Sequence, residues 1–416
     1  MALEDAYESR LASFQSLLNQ VQDEYELLLQ ENLSLKKRLN LNEPAPTISR
    51  SHSIKHSDSP PVAFASRSVM DYSYTEPKWK TLSTRLRIRP HSPSFYTPSF
   101  HFLGHSDSIQ DLALSSTSLS PNPFLAVSSL DHTVTLWSGN KSVAIIDKHK
   151  GSVNSVRFHD TSPLLLTASG DKTVCLFPLN FDTITSSDDV KLTRISDPLS
   201  EFKHGNSSMS HAVFFGKEVV ASSSYNGFIY LSSIHDQISS TKILDQKQSE
   251  VMRLSTCQHD SALLLLACFS DGTSSVYDVR QSDSCVMTFT GHNSCVTAIK
   301  SCQVEPNIVI TSSVDRHVNI YDIRGSSSLP IKSITADCPV STFAVSPTSP
   351  VIAIPSESRR IRLYDFHGHK ITSCRSDDQY GHTMLVSSLL FGWKETTLYS
   401  GGFESMIIEW TERNEG

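Results

Sequence analysis

No cysteine occurs before Cys175, and none of the eight forms a C-x-x-C pair. Closely spaced thiol pairs of redox and zinc sites are therefore excluded, and the cysteines read as free, mostly buried thiols of a reducing compartment. Long apolar runs are also missing. The longest, Ala262 to Phe269, is far shorter than the roughly 20 residues needed to span a bilayer. There is no Gly-rich phosphate loop. Among the 17 histidines an H-x-x-x-H spacing occurs at His52/His56, in a Ser/Pro-rich tract, and at His101/His105, in a strand-like stretch; neither reads as a helical metal motif, so neither a metal nor another cofactor is expected. Neither sign of charge dominates: 36 Lys and Arg stand against 43 Asp and Glu, and a net charge of −7 gives no global pull toward nucleic acid or anionic membrane. The opening Met1-Ala2-Leu3-Glu4-Asp5 is acidic, whereas a secretory signal begins basic and turns apolar. The expected compartment is the cytoplasm, with the nucleus as a second.

What is present falls into three stretches: a helix over 1–41, a basic Ser/Pro-rich linker over 42–98, and a repeat domain over 99–416. Residues 7 to 39 keep an unbroken heptad. Tyr7, Phe14, Val21, Leu28 and Leu35 occupy d, while Leu11, Leu18, Tyr25, Asn32 and Leu39 occupy a. No Gly or Pro interrupts the run before Pro44, and about 35 residues at ~1.5 Å each make a rod of roughly 50 Å. A lone Asn32 at a favours parallel, in-register pairing, and Glu31 at g faces Lys36 at the partner's e. Leu17 and Leu29 widen the apolar face, so a larger bundle or a different partner helix fits as well. The bland alternative is an amphipathic helix lying on its own domain.

From Asn42 to about Tyr74 the periodicity stops and Ser, Pro and His dominate. Such a tract buries too little apolar surface to offset its ordering entropy, and disorder is expected. Ser53, with Arg50 three residues before it, and Ser59, before Pro60, have the look of phosphorylation sites. Lys78, Lys80, Arg85, Arg87 and Arg89, interleaved with Trp79, Leu82, Leu86 and Ile88, read either as a solvated arm partly docked on the repeat domain, the favoured reading, or as a contact for an acidic partner or nucleic acid.

Seven segments from residue 100 onward share one grammar: a His, then Ser-x-Asp about 25 residues on, then an aromatic six residues past the Asp. The first reads His105, Ser129-Leu130-Asp131, Trp137; the second His149, Ser169-Gly170-Asp171, Phe177; the fifth His292, Ser313-Val314-Asp315, Tyr321. The third is His204, Ser224-Tyr225-Asn226, Ser232, and the seventh His382, Gly402-Phe403-Glu404, Trp410. The fourth (Asp271, Tyr277) and the sixth (Ser356-Glu357-Ser358, Tyr364) lack the His. The spacing matches four-stranded blades of about 40–45 residues. The surplus between the second and third falls in Thr183 to Pro198, which reads as a surface loop. The last repeat ends almost at Gly416, so its outer strand must come from elsewhere, and Ser99 to Leu103 is the natural donor.

These markers resemble the WD-repeat family, which implies an all-β seven-bladed propeller behind the N-terminal coiled-coil α-helix. The resemblance further implies hydrogen-bonded tetrads: a full one from His105, Ser129, Asp131 and Trp137, and three-member versions at His149, Ser169, Asp171 with Phe177 and at His292, Ser313, Asp315 with Tyr321. The other blades would then rely mainly on packing. Within that family, His149 to Asp171, Arg359 to Asp365 and Tyr380 to Phe403 look like the WD repeat-containing protein 37 family, as does the coil-then-propeller order. That likeness implies a non-enzymatic adaptor acting with phosphofurin acidic cluster sorting proteins.

Ser, His and Asp recur in several repeats, which a single hydrolytic site would not require; a buried hydrogen-bond network would. The residues before the Asp positions are expected on a solvent-facing turn, where Leu130, Tyr225, Val314 and Phe403 are apolar and suit partner binding. Tyr277-Asp278-Val279-Arg280 and Tyr321-Asp322-Ile323-Arg324 resemble the motif of WD-repeat substrate receptors of cullin-type ubiquitin ligases, which would give Arg280 and Arg324 a docking role. An Arg paired with a nearby carboxylate explains the same pattern.

Overall fold

The computed structural model describes residues 95–413, apart from 121–122, 182–191, 205, 236–241, 247, 260–261, 282–283, 326, 375–380 and 394–395. The heptad helix and nearly all of the linker lie outside the described residues, and with them the seam from Leu11 to Leu39.

Sequence alternation becomes seven small antiparallel sheets arranged as blades. Their inner strands are Ile109–Leu114, Val153–Phe158, Met209–Phe215, Val251–His259, Val296–Ser301, Ala344–Val345 and Val386–Phe391. Blade 5 shows the pattern, running outward through Val296–Ser301, Ile308–Ser313, His317–Asp322 and Lys332–Thr335. The second strand of each blade is buried on both sides. Its even and odd residues therefore pack against different neighbours. Leu165 faces the cluster shared by blades 1 and 2, while Leu166 faces that shared by blades 2 and 3. Seven hydrophobic clusters result, one at each junction between blades. The apolar run Ala262 to Phe269 is the second strand of blade 4, fully buried along Leu265 to Phe269.

The turn after each second strand is the same turn seven times. The residue following the Asp position takes a left-handed backbone at His132, Lys172, Gly227, Gly272, Arg316, Arg359 and Ser405. Five of the seven are not glycine, although that conformation favours it. At Gly272 glycine is required sterically as well, since a Cβ would lie 2.9 Å from the His292 carbonyl oxygen.

Ring closure follows the expected route. Phe95–Leu103 pairs antiparallel with Met406–Arg413, from Phe95 opposite Arg413 to Leu103 opposite Met406. The strand begins at Phe95, four residues ahead of the expected donor. Across the closing junction Ser387 Oγ donates to the Ile109 carbonyl (2.6 Å) and Trp393 Nε1 donates to the Ser115 carbonyl (2.8 Å). Thr183 to Pro198 is not wholly loop: Thr193–Ile195 adds to blade 1 as a fifth strand, parallel to Lys141–Ile146. It covers an edge that would otherwise present unpaired backbone groups, and Arg194 fixes it to Asp147 at 3.1 Å.

Phe102 is 2% exposed and meets Trp137 edge-on at 5.0 Å. Phe102→Ala should lower unfolding free energy by about 3–5 kcal/mol, read as a shift in urea midpoint. Leu103→Ala, next to it at 73% exposure, should move it by less than about 0.5 kcal/mol.

Candidate functional site

The polar repeats lock strands together, by a route partly different from the expected one. His105 Nδ1 bonds Asp131 Oδ2 (2.9 Å) and Nε2 bonds Thr135 Oγ1 (2.8 Å), which also accepts the Trp137 indole N–H (2.9 Å). The hydroxyl joining His to Trp is therefore Thr135, not Ser129. Ser129 ends its strand beside the turn, where its hydroxyl donates to the Asp107 carbonyl and accepts the Asp131 N–H. The same holds for Ser169 and Ser313. The hydroxyls that reach His149 and His292 are Thr167 and Thr311, each at 2.7 Å. The aromatic partners follow suit: Phe177 sits edge-on to His149, and Tyr321 stacks on Phe289 at 4.2 Å.

Blade 7 corrects the expectation that it relies mainly on packing. Glu404 takes the Asp role toward His382 Nδ1. Ser400 Oγ lies 2.6 Å from His382 Nε2, and Trp410 Nε1 donates to it at 2.7 Å. The relay is complete because strand alternation places Ser400 where Thr167 and Thr311 stand. In blade 3, His204 stacks on Tyr230 (4.5 Å) and Phe202 (6.1 Å), with Ser232 Oγ 3.3 Å from Nε2.

Burial raises the Asp131 carboxyl, but hydrogen bonds from His105 and Thr133 outweigh it and hold the group below the usual carboxylate range; Asp171 repeats this with His149 and Thr173. These groups are consumed by structure, and none presents a nucleophile beside an oxyanion site. Burial pushes the Cys175 and Cys268 thiols up to about 12, so they are poor nucleophiles at neutral pH.

The face that the turns rim is different. Leu130, Tyr225, Val314 and Phe403 are 36%, 37%, 42% and 41% exposed, as their turn position predicts. At the closing junction they gain company. Phe403 N–H donates to the Leu385 carbonyl (3.0 Å), Ser108 Oγ to the Phe403 carbonyl (3.1 Å), and Leu130 N–H to the Ser108 carbonyl (3.0 Å). This hydrogen-bonded run holds Leu385, Phe403 and Leu130 side by side, with Met384 adjoining. Met384 and Leu385 are over half exposed. The sequence reading missed both; the signal was an apolar pair two residues past His382, in a stretch where blades 1, 2 and 5 carry Asp107-Ser108, Gly151-Ser152 and Ser294-Cys295.

Arg280 and Arg324 are placed in adjacent blades as expected, but each folds back on its own motif. Arg280 Nη2 is 2.8 Å from Asp278 Oδ2, and Arg324 Nε is 2.9 Å from Asp322 Oδ1.

Seven blades closed by the strand Phe95–Leu103, four of them pinned by a His–carboxylate pair, make this chain a seven-bladed β-propeller that carries WD repeats. The WD domain, G-beta repeat family matches residues 96–138, 140–177 and 283–322. Among individual proteins, the chain is similar to human WD repeat-containing protein 37, 26% identical over 344 residues that cover 74% of this chain and 67% of that one. The Xenopus laevis protein of the same name is also 26% identical, over 345 residues. Mouse Striatin-3 is 24% identical over 281 residues, covering 63% of this chain and 34% of its own length.

Two outcomes test the networks. Thr135→Val keeps shape but strands the Trp137 N–H, and should cost about 2 kcal/mol in urea unfolding, whereas Thr135→Ser should cost less than about 1 kcal/mol. The second is pH dependence. Burial holds His204 down at about 4, so between its ordinary value and pH 4 the unfolded chain takes up a proton that the folded chain refuses. Stability contributed by this group is present above about pH 6.5 and falls as pH drops toward 4. His204→Phe should shrink the loss of melting temperature between pH 7 and pH 5 by a few degrees, equivalent to about 1–2 kcal/mol.

Proposed function

We propose that this chain is a non-enzymatic interaction scaffold that captures protein partners on the turn-bearing rim. The observation carrying this reading is the exposed apolar run Leu385, Phe403 and Leu130, flanked by Met384 and held rigid by backbone hydrogen bonds. Large apolar side chains fixed on a rigid rim supply desolvation energy on binding with little entropy loss. Tyr225 and Val314 extend the rim on blades 3 and 5. The tetrad histidine, hydroxyl and carboxylate groups are engaged in holding strands, whereas the apolar side chains of the rim are free to meet a partner.

The N-terminal heptads make the chain multivalent in this reading. A coil paired through Leu11, Phe14, Leu18, Val21, Tyr25, Leu28, Leu35 and Leu39, with Asn32 setting register, brings two propellers together or joins one to a partner helix. The cytoplasm, with the nucleus as a second compartment, is the proposed location. On the likeness to WD repeat-containing protein 37, a phosphofurin acidic cluster sorting protein is the first partner to try. The alternative is a substrate receptor of a cullin-type ubiquitin ligase, docking through Arg280 and Arg324. That reading must overcome the pairing of both guanidinium groups with Asp278 and Asp322.

One binding experiment separates these. With purified sorting protein immobilised, Leu385→Ser/Phe403→Ala should weaken binding at least tenfold while the melting temperature stays within about 2 °C. Arg280→Gln/Arg324→Gln should leave it unchanged. Loss of binding only with the arginine pair, and recovery of ligase subunits only by wild type, would turn the assignment to the alternative. Lowered stability in the rim variant would mean that these side chains serve packing.

A further inference from the structure

The inner strands enclose a cavity of about 360 Å³ along the ring axis, within the size range of small-ligand pockets. The inner strands of five successive blades each send one ionisable side chain to it: Asp111, Arg157, His211, Arg253 and Lys300. Three of these are basic against the one carboxylate of Asp111, and the exposed Asp160 lines the cavity as well. Asp111 is shared between two of them, since Arg157 Nη1 pairs with Oδ2 and Arg253 Nη1 lies 3.4 Å from Oδ1. Lys300 has no carboxylate among the described residues. Its ammonium donates to the Leu389 carbonyl at 3.4 Å and sits 5.7 Å from the centre of the Phe343 ring. Burial, aided by Arg157 and Arg253 and opposed by Asp111, pushes Lys300 down to about 7.

His211 provides an independent sign of what is missing. It is 1% exposed, and Arg157 Nη2 lies 3.0 Å from its Nε2. A guanidinium only donates, so Nε2 accepts and the ring proton sits on Nδ1. Burial and the three nearby cations keep the imidazole neutral. That Nδ1–H is buried and has no partner among the described residues. A buried donor left unsatisfied is destabilising, and the clustered basic side chains add repulsion. Both penalties are relieved by the same thing, an acceptor carrying negative charge. An oxyanion would counter the clustered basic side chains, and guanidinium forks suit phosphate oxygens.

We propose that the central cavity binds the phosphate group of a small anion, free phosphate or a phosphate monoester, through Arg157, Arg253, Lys300 and the His211 Nδ1–H. Solvent reaches the site, since the Arg157 and Arg253 side chains are 26% and 17% exposed.

The test is calorimetric titration of the full chain at pH 7 with inorganic phosphate and with glycerol 3-phosphate, against chloride at matched ionic strength. Saturable one-to-one binding is expected, weakened at least tenfold by Arg253→Gln and by Lys300→Met. Arg194→Gln, on the outer edge of blade 1, should leave it unchanged. Tighter binding of the monoester would assign the site to a phosphorylated metabolite; equal or weaker binding would assign it to free phosphate. Should either charge-removing variant fail to fold, Arg253→Lys decides: it keeps the charge and loses the fork, so several-fold weakening supports the site and unchanged binding overturns it. Absence of saturable binding by both probes, or equal binding by wild type and the charge-removing variants, would also overturn it.

Discussion

The burial of the middle strands on both faces is the constraint on which the rest depends. A strand such as Leu164–Ser169 gives alternate side chains to different neighbours, so no blade can complete its core alone. Each junction cluster needs both adjoining blades, and the last junction needs both ends of the repeat domain. Phe102, Ile407 and Trp137 share one cluster although they are separated by most of the chain. Closure is thereby a condition of stability for every blade, because an open ring would expose one cluster and one edge together.

Polar groups act within that frame as pins. Each His–hydroxyl pair ties the segment entering a blade to its second or third strand, and each Asp or Glu ties the same His to the tight turn between them. With the turn fixed at both ends, four non-glycine residues, His132, Lys172, Arg316 and Ser405, hold a left-handed backbone there, and Arg359 does so in blade 6 without the His. The rim inherits this rigidity. Phe403 and Leu385 owe their fixed exposure to the Glu404–His382 pairing beside them and to the hydrogen bonds reaching Ser108 in the next blade. The locked strands and the exposed apolar rim are products of one network, which is why the Ser, His and Asp types that suggest hydrolysis are occupied otherwise.

Much of this was legible in the sequence, because repetition multiplies a weak signal. Seven recurrences of a carboxylate or its substitute, six of them followed by an aromatic, pointed to blade number, closure and the rim positions. Individual hydrogen bonds were less legible. The spacing of Ser129 from Asp131 made it the natural tetrad member, yet a residue so near the turn spends its hydroxyl there. The relay position lies two residues earlier on the same strand face, as Thr167, Thr311 and Ser400 show. In blade 1 Val127 fills that place and Thr135, directly opposite on the next strand, supplies the hydroxyl instead. Cross-strand substitution of this kind conserves the network in space while breaking its linear pattern. Arg280 and Arg324 failed differently: a four-residue motif reports a local ion pair as readily as a docking site.

The channel charges were invisible for a further reason. Asp111, Arg157, His211, Arg253 and Lys300 stand on inner strands whose flanking residues are buried in the junctions, so each looks like one polar residue in an ordinary alternating strand. Their meaning appears only when the ring brings five blades to one axis. Stability alone gives no reason for the assembly. A balanced Asp111–Arg157 pair would already satisfy that carboxylate, and apolar or small polar side chains would line a channel without repulsion. Arg253 and Lys300 add positive charge beyond that pair, and the His211 Nδ1–H has no acceptor among the described residues. Departures of this kind from local consistency concentrate where a fold carries function. On that argument the axis of the ring, as much as its rim, is where a second molecule belongs.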